Sequence, residues 1–167
     1  GKFMGMLPLG DGNYIWYLQI NQDLDPIRSS DAETLKAYVT QSILNYPSVF
    51  KELADATDFE RAFLWTAQRM DLLPAFSYKN LVFLGDAAHP LLAFTSQGAN
   101  SGLEDAAYLL TLLSHQDWEE TTEEVFEHYY EIRKDAIQNH IQEGDALLED
   151  FLNLPKTKTF RLPLSIQ

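Results

Sequence analysis

Two apolar runs near the start of the chain flank a short segment with two glycines. Residues 3–9 and 13–20 lie on either side of Gly10-Asp11-Gly12, where glycine can adopt the positive φ that a chain reversal requires. This pattern predicts a β-hairpin. Large side chains are continuous through the second run, which is typical of a strand covered on both faces.

Helical spacing of apolar residues begins after the hairpin. Asp31 occupies an N-cap position before such a repeat, so we expect a helix from there that ends before Pro47. Residues 50–58 predict a second, short helix. Residues 61–67 and 81–84 predict short strands, the second of them buried.

Two longer helices are predicted in the second half of the chain. Residues 99–113 are apolar on nearly all sides, which indicates a helix in the protein core. Residues 121–154 predict a longer helix with a stripe of large side chains and a kink or break at Gly144. Apolar and polar residues alternate only weakly in the tail, residues 156–167. The sequence is compatible with either a strand or an extended arm there.

The composition indicates a folded globular domain without a transmembrane helix. A hydrophobic fraction of 46% in 167 residues is typical of a folded domain with a substantial core. No apolar run approaches the roughly 20 residues that span a bilayer, so we expect no transmembrane helix. There is no secretory signal pattern and no cysteine, which favours a cytoplasmic protein.

The charge excludes one class of partner. A net charge of -13 argues against nucleic acid as a ligand, because phosphate binding requires clustered Lys and Arg. Five acidic residues between positions 117 and 124 are interpreted as the solvated entrance of the last helix.

Candidate chemistry begins where the predicted strand 81–84 ends. Gly85 lets the backbone leave the strand, and Asp86 follows at the carboxyl end, where open α/β sheets bind ligands. A carboxylate there can accept hydrogen bonds from polyol hydroxyls. Capping of the next turn is the alternative role for Asp86. A metal site with His89 is unsupported, because two such residues on a loop are not a ligand set.

A second candidate element is the entrance of the helix predicted at 99–113. Gly98, Ala99 and Asn100 are small residues at the position where the first helical N–H groups lack partners. The positive end of the helix dipole stabilises an anion or an electron-rich edge. The alternative is an ordinary tight loop that Asn100 or Ser101 caps.

The two elements together resemble a known motif. The order Gly-Asp-Ala-Ala-His-Pro at 85–90, Gly-x-Asn at 98–100 and Glu-Asp-Ala at 104–106 is similar to the second flavin-binding motif of FAD-dependent aromatic-ring monooxygenases. That family includes 4-hydroxybenzoate hydroxylase, salicylate hydroxylase and tetracycline-modifying monooxygenases. The match is close over residues 81–110 and looser over 69–74 and the hairpin.

The resemblance implies a cofactor, FAD, with NAD(P)H as its reductant. Asp86 would bind a ribityl hydroxyl, the helix-entrance N–H groups would face the flavin N1–O2 edge, and loop 90–94 would line the ring. The implied cofactor-binding residues are Gly85, Asp86, Pro90, Gly98, Ala99 and Asn100. The chain departs from the family pattern at Ala93, where proline is usual, and at Ser96, where glycine is common.

The resemblance also implies the fold class and the domain organisation. We expect an α+β piece of a larger parent with a Rossmann-like FAD domain: part of a substrate-binding sheet domain at 1–78, the flavin-binding segment at 79–115, and a helical segment with a tail at 116–167. The chain lacks the Gly-x-Gly-x-x-Gly fingerprint that binds the adenosine and pyrophosphate. The N-terminal part of the parent is therefore an expected partner, and the fragment alone is expected to be inactive.

The function that the resemblance implies is insertion of one oxygen atom from O₂ into a small organic substrate, aromatic or polycyclic. Two alternatives are open at the level of sequence. One is a non-catalytic flavoprotein remnant that serves in protein interaction, and the other is a related flavin reductase or epoxidase.

Overall fold

A computed structural model describes residues 2–115 and 121–153, which form parts of two compact units, 1–66 and 67–167. The first unit contains strands β1 (Lys2–Gly10) and β2 (Asn13–Ile20) and helices α1 (Ala32–Ser42) and α2 (Ser48–Asp55). The second contains strands β3 (Ser77–Tyr78) and β4 (Leu81–Val82) and helices α3 (Gly98–Ser114) and α4 (Thr122–Leu152). This mixture of helix and strand confirms the α+β class. The functional division at residues 78 and 115 stays a prediction.

The predicted hairpin is confirmed. β1 and β2 pair antiparallel, from Lys2 opposite Ile20 to Pro8 opposite Tyr14. The reversal uses positive φ at Gly10 and Gly12, as the glycines predicted.

The expectation that β2 is covered on both faces is wrong for this structure. Trp16, Leu18 and Ile20 pack toward the core of the first unit, whereas Ile15 and Tyr17 are exposed. Successive side chains of a strand point to opposite faces, so a continuous apolar run supplies an apolar outer face as well as an inner one.

Both predicted helices of the first unit are present, and α1 begins at its predicted cap. The Asp31 carboxylate accepts a hydrogen bond from Thr34 N at 2.8 Å, which confirms it as the N-cap of α1. α2 begins earlier than predicted, immediately after Pro47. The buried apolar residues of this unit are Ile27, Leu35, Val39, Ile43, Ala54 and Phe59.

The predicted strand at 61–67 is wrong. A single 3₁₀ turn, Phe59–Arg61, is followed by irregular chain, and Phe63 is 78% exposed. Apolar composition alone does not make a strand, because no described neighbouring segment pairs with these backbone groups.

The strand at 81–84 is shorter and more exposed than predicted. β4 contains only Leu81 and Val82, paired antiparallel with β3. Leu81 is 58% exposed, so this strand is not buried. One short partner strand leaves the outer face of β4 uncovered in this structure.

α3 confirms the predicted helix but not its complete burial. Its buried residues, Ser101, Asp105 and Leu109, are spaced by four along one face. Leu103 is 72% exposed on the opposite side. The helix is therefore apolar all round in sequence but packed on one face only.

α4 is a continuous helix, so a break at Gly144 is wrong, and a kink there stays a prediction. It begins with a capping box between Thr121 and Glu124. Its buried residues, which include Phe126, Tyr129, Arg133, Ile137, Ile141 and Phe151, follow the predicted stripe. Residues 116–120 and the tail lie outside the described residues. Within the part described, no helix has the length and apolar character that crossing a membrane requires.

Candidate functional site

The backbone turns sharply where β4 ends. Leu84 is extended, and Gly85 then adopts φ +52, a left-handed conformation that glycine tolerates without steric cost. The Gly85 carbonyl accepts hydrogen bonds from Ala88 N at 2.9 Å and from His89 N at 2.8 Å. This tight turn, Gly85–Ala87, presents Asp86 at the surface.

The Asp86 carboxylate makes no hydrogen bond to any described residue. The turn that follows it is instead closed by the Gly85 carbonyl, so the alternative role of Asp86 as a turn cap is wrong. An exposed carboxylate without an internal partner is free to accept hydrogen bonds from a ligand.

The N-terminus of α3 lies beside this carboxylate. A Cβ built on Gly98 would lie 3.8 Å from Asp86 Oδ1. The first α-helical hydrogen bond runs from Ser101 N to Gln97 O at 2.8 Å, so the N–H groups of Gly98, Ala99 and Asn100 precede it. The structure therefore brings the two predicted halves of the site together.

The N-cap of α3 is not one of the two residues that the sequence suggested. Gln97, not Asn100 or Ser101, is the N-cap residue, and its side chain makes no capping hydrogen bond. The first-turn N–H groups have no side-chain cap of the usual kind, which leaves them available to an acceptor from outside.

The loop between the two halves packs against α4. Pro90 is half-buried, Leu92, Phe94 and Thr95 are buried, and residues Ala93–Thr95 form a 3₁₀ turn. Ser96 adopts φ 55, a left-handed conformation. This is the position where the aromatic-ring monooxygenases that the motif resembles commonly have glycine. The loop is thus held by its contacts with α4 and ends at the N-terminus of α3.

A network of buried charged side chains contacts the turn Gly85–Ala87. Asp105 Oδ2 accepts a hydrogen bond from Gly85 N at 2.9 Å and contacts His89 Nε2 at 2.6 Å. Asp105 Oδ1 accepts from Arg133 Nε at 2.7 Å. The side chains of Asp105, His89 and Arg133 are nearly or completely inaccessible to solvent. The network joins the turn, α3 and α4.

The electrostatics of Asp105 define its protonation state. Burial opposes ionisation, but hydrogen bonds from His89, the Gly85 backbone and Arg133 outweigh it and lower the pKa of Asp105 to about 2. An ionised carboxylate only accepts hydrogen bonds, so His89 Nε2 is assigned as the protonated nitrogen. His89 Nδ1 is buried without a partner among the described residues.

Arg133 connects the two long helices at this point. Its Nη1 donates to Glu104 Oε2 at 2.7 Å, and its Nη2 donates to the Ser101 carbonyl at 3.3 Å. Burial lowers the pKa of Arg133, but the two carboxylates more than compensate and raise it overall. The guanidinium is the internal counter-ion of Asp105.

Sequence reasoning missed this network. In the sequence, Asp105 stands out only through the Glu-Asp-Ala match, and Arg133 is one of the large side chains at helical spacing in α4. The available signal was a charged residue at a buried helical position on each helix, since buried charges are almost always paired.

Two further side-chain contacts lie outside this network. Arg69 forms a bidentate ion pair with Asp145, from Nη2 to Oδ2 at 2.8 Å and from Nε to Oδ1 at 2.5 Å. Trp16 donates its indole N–H to Thr57 Oγ1 at 2.8 Å in the first unit. Across residues 2–115 and 121–153, no group of three or more His, Asp or Glu side chains is arranged to hold a metal ion.

Comparison with known proteins places the chain in a family. The family model described as FAD binding domain matches residues 1–144. The chain belongs to this FAD binding domain family. Membership confirms the resemblance noted in the sequence and the expectation that FAD is the cofactor.

The curated relatives are hydroxylases and monooxygenases by name. Salicylate hydroxylase of Pseudomonas putida is 42% identical over 50 residues, which are 30% of this chain and 12% of that protein. Kynurenine 3-monooxygenase of Aspergillus clavatus is 31% identical over 145 residues, covering 74% of this chain and 27% of that protein. The chain thus spans less than a third of the length of these relatives.

A solved structure shares the fold. It is the R204Q variant of HpxO from Klebsiella pneumoniae, complexed with FAD, with a TM-score of 0.77 and 17% sequence identity. The match covers 87% of this chain and 37% of that one.

Proposed function

We propose that this chain forms the flavin-binding part of an FAD-dependent monooxygenase that inserts one oxygen atom into a small organic substrate. NAD(P)H is the reductant, and the substrate is aromatic or polycyclic. The observation that supports the proposal is the juxtaposition of the free Asp86 carboxylate and the uncapped N-terminus of α3.

The chemistry of this juxtaposition fits a flavin. Asp86 supplies hydrogen-bond acceptors, which suit ribityl hydroxyl groups. The N–H groups of Gly98, Ala99 and Asn100 supply donors, which suit the N1–O2 edge of the ring. Gly98 has no side chain to fill the space beside Asp86, so the backbone of α3 is accessible to a ligand.

Each predicted site residue then has a defined role. Asp86 orients the ribityl chain, and the Gly85 backbone approaches the ribityl chain or the pyrophosphate. Pro90 and the loop that follows it line one side of the ring, and the buried side chains of Leu92 and Phe94 anchor that loop in the protein. When bound and reduced, FAD supplies the reaction with O₂, and the protein supplies position, electrostatics and exclusion of water.

The chain supplies only the flavin half of the cofactor site in this proposal. No Gly-x-Gly-x-x-Gly fingerprint is present in its 167 residues. We therefore expect the 167-residue chain to bind riboflavin about as tightly as FAD, because the adenosine half adds no contacts. The N-terminal part of the parent protein would supply those contacts.

Flavin titration tests the binding role. Fluorescence quenching of riboflavin by the chain is compared between wild type, Asp86→Asn and the matched control Asp11→Asn, which alters an exposed turn carboxylate in the other unit. Loss of charge-assisted hydrogen bonds should weaken binding roughly tenfold or more in Asp86→Asn only. Equal binding by all three proteins would contradict the assignment of Asp86.

The reaction class is tested on the parent protein. NAD(P)H oxidation is measured with candidate aromatic substrates under ¹⁸O₂, and products are analysed by mass spectrometry. One labelled oxygen atom per product molecule is expected. NAD(P)H oxidation without labelled product would indicate a reductase instead, and the absence of any flavin-dependent turnover would indicate a non-catalytic module. Cell fractionation tests the expected cytoplasmic location.

A further inference from the structure

One buried carboxylate contacts the turn that presents Asp86 and belongs to the helix that forms the other half of the site. Asp105 is a residue of α3, two turns from the Gly98 end of that helix. Its Oδ2 accepts the backbone N–H of Gly85, the residue immediately before Asp86, at 2.9 Å. A single side chain thus joins the two halves through a contact that spans 20 residues of sequence.

We propose that Asp105 is a positioning residue for the flavin site: it fixes the Gly85–Asp86 turn against α3 and thereby sets the affinity for the flavin. Its carboxylate does not touch the proposed ligand, and it acts through the backbone of Gly85. This inference rests on the proposed flavin-binding function and goes beyond it, because it assigns the geometry of the site to a buried residue outside the cofactor contacts.

The hydrogen-bond pattern makes a carboxylate necessary at this position. Asp105 Oδ2 accepts hydrogen bonds from Gly85 N and His89 Nε2, while Asp105 Oδ1 accepts one from Arg133 Nε. A neutral amide offers only one accepting atom. Asparagine would therefore direct its N–H₂ group either at the Arg133 guanidinium or at the Gly85 N–H, and one donor would face another.

The turn depends on this bond because its conformation is unusual. Gly85 has φ +52, and two further hydrogen bonds converge on its carbonyl from the following residues. The N–H of Gly85, which belongs to the preceding peptide group, donates to Asp105, so the backbone is held on both sides of the Gly85 Cα. Loss of the Asp105 contact releases the peptide group before Gly85 and lets Asp86 move relative to the α3 N-terminus.

The partners of Asp105 are themselves fixed. His89 is buried next to Phe76, with ring centroids 5.4 Å apart, and Arg133 is 3% exposed in the middle of α4. Glu104, the adjacent carboxylate on α3, is more than half exposed, and among the described residues its hydrogen bond goes to Arg133 and not to the turn, so it cannot replace Asp105 there.

The experiment separates positioning from general stability. Asp105→Asn is compared with Ile137→Ala, which removes a fully buried apolar side chain of the same unit but leaves the network intact. Two quantities are measured on the 167-residue chain at a temperature well below both melting transitions: hydrogen exchange of the Gly85 amide, and riboflavin affinity by fluorescence quenching.

We expect Asp105→Asn to lose the protection of the Gly85 amide and to bind riboflavin at least tenfold more weakly, whereas Ile137→Ala lowers the melting temperature without either effect. If both variants weaken riboflavin binding in proportion to their loss of stability, Asp105 has only a structural role and the inference is overturned. Unchanged riboflavin affinity in Asp105→Asn would overturn it as well.

A second pair of variants keeps the test decisive if Asp105→Asn does not fold. His89→Gln retains a donor toward Asp105, and His89→Leu removes it. Weaker riboflavin binding in His89→Leu with recovery in His89→Gln supports the inference, and equal binding overturns it. If the wild-type chain protects the Gly85 amide but binds no riboflavin, the proposed function fails and the flavin role of Asp105 fails with it.

Discussion

Gly85 and Gly102 lie backbone to backbone, so that a Cβ built on either residue would be 3.5 Å from the Cα of the other. The contact places the turn before Asp86 directly on α3. The two glycines are not equivalent, because Gly85 has φ +52 whereas Gly102 is an ordinary helical residue. Two predictions with opposite signs follow from this difference.

Gly85→Ala should destabilise the protein by about 1–2 kcal/mol, because an L-residue in the left-handed region is strained. Urea denaturation measures this loss, and riboflavin titration should show weaker binding as the turn relaxes. Gly12→Ala is the matched control, since Gly12 has φ +74 with open space around it. Equal riboflavin affinity in the two variants would argue against the importance of the turn.

Gly102→Ala should be neutral or should stabilise the protein by up to about 1 kcal/mol. Its Cβ would make an ordinary van der Waals contact with Gly85, and alanine is the better helix former. Gly102→Val, whose γ methyl groups extend further toward the turn, should destabilise instead. A loss of stability in the alanine variant as large as in the valine variant would contradict the geometry of this contact.

Arg133→Met should destabilise the second unit by about 3–5 kcal/mol, because Asp105 would remain buried without its counter-ion. The cost is measured by urea denaturation. Arg61→Met removes an exposed arginine in the first unit and should change stability by less than about 0.5 kcal/mol. In a double-mutant cycle, adding Asp105→Leu to Arg133→Met should cost less than the sum of the single changes.

The stability of the second unit should fall in acid through Asp105. Its folded pKa of about 2 is lower than its ordinary value of 3.8, so the ionised form contributes about 2 kcal/mol above pH 4. That contribution is lost as the pH falls from about 4 to about 2. Unfolding measured across this range should lose part of its pH dependence in Asp105→Asn.

The N-cap of α1 provides the control for this titration. Hydrogen bonds to Ser29 and Thr34 lower the pKa of Asp31 to about 2 as well, but Asp31 lies in the first unit. Asp31→Asn should therefore alter the acid response of the first unit only. An identical acid profile for the wild type and Asp105→Asn would show that Asp105 does not contribute.

Gly144→Val should destabilise the second unit by about 1–3 kcal/mol and displace the loop that leads to α3. A Cβ on Gly144 would already lie 3.3 Å from Leu92 Cβ and 3.5 Å from Thr95 Cγ2. Ala146→Val is the control, because it places the same β-branched residue at an exposed position of α4. Similar stability in the two variants would show that the loop does not depend on close packing at Gly144.

Local signals in the sequence predicted the elements that local interactions form. The glycines at positions 10 and 12 specified the hairpin, and Asp31 specified the start of α1, because a positive φ and an N-cap each depend on neighbours within a few residues. The paired motifs at 85–90 and 98–100 likewise indicated the family, since their spacing is read directly from the chain.

Predictions that required a packing partner were less successful. The apolar segment 61–67 is not a strand, and the outer faces of β2 and α3 are exposed, because hydrophobic composition does not say which segment covers which face. Gly144 illustrates the same point. Its sequence context suggested a helix break, whereas the structure shows a continuous helix in which the missing side chain makes room for Leu92.

The sequence by itself determined the turn, the helix entrance and the class of cofactor that they suit. Only the tertiary structure decided that Asp105, His89 and Arg133 meet beneath the turn. These residues lie on separate elements, and the hydrogen bonds that join them connect residues up to 28 positions apart in the sequence. Nothing in the local sequence around each residue indicates its partner. Their burial makes the pairing necessary, because a charge removed from water is stable only beside its partner.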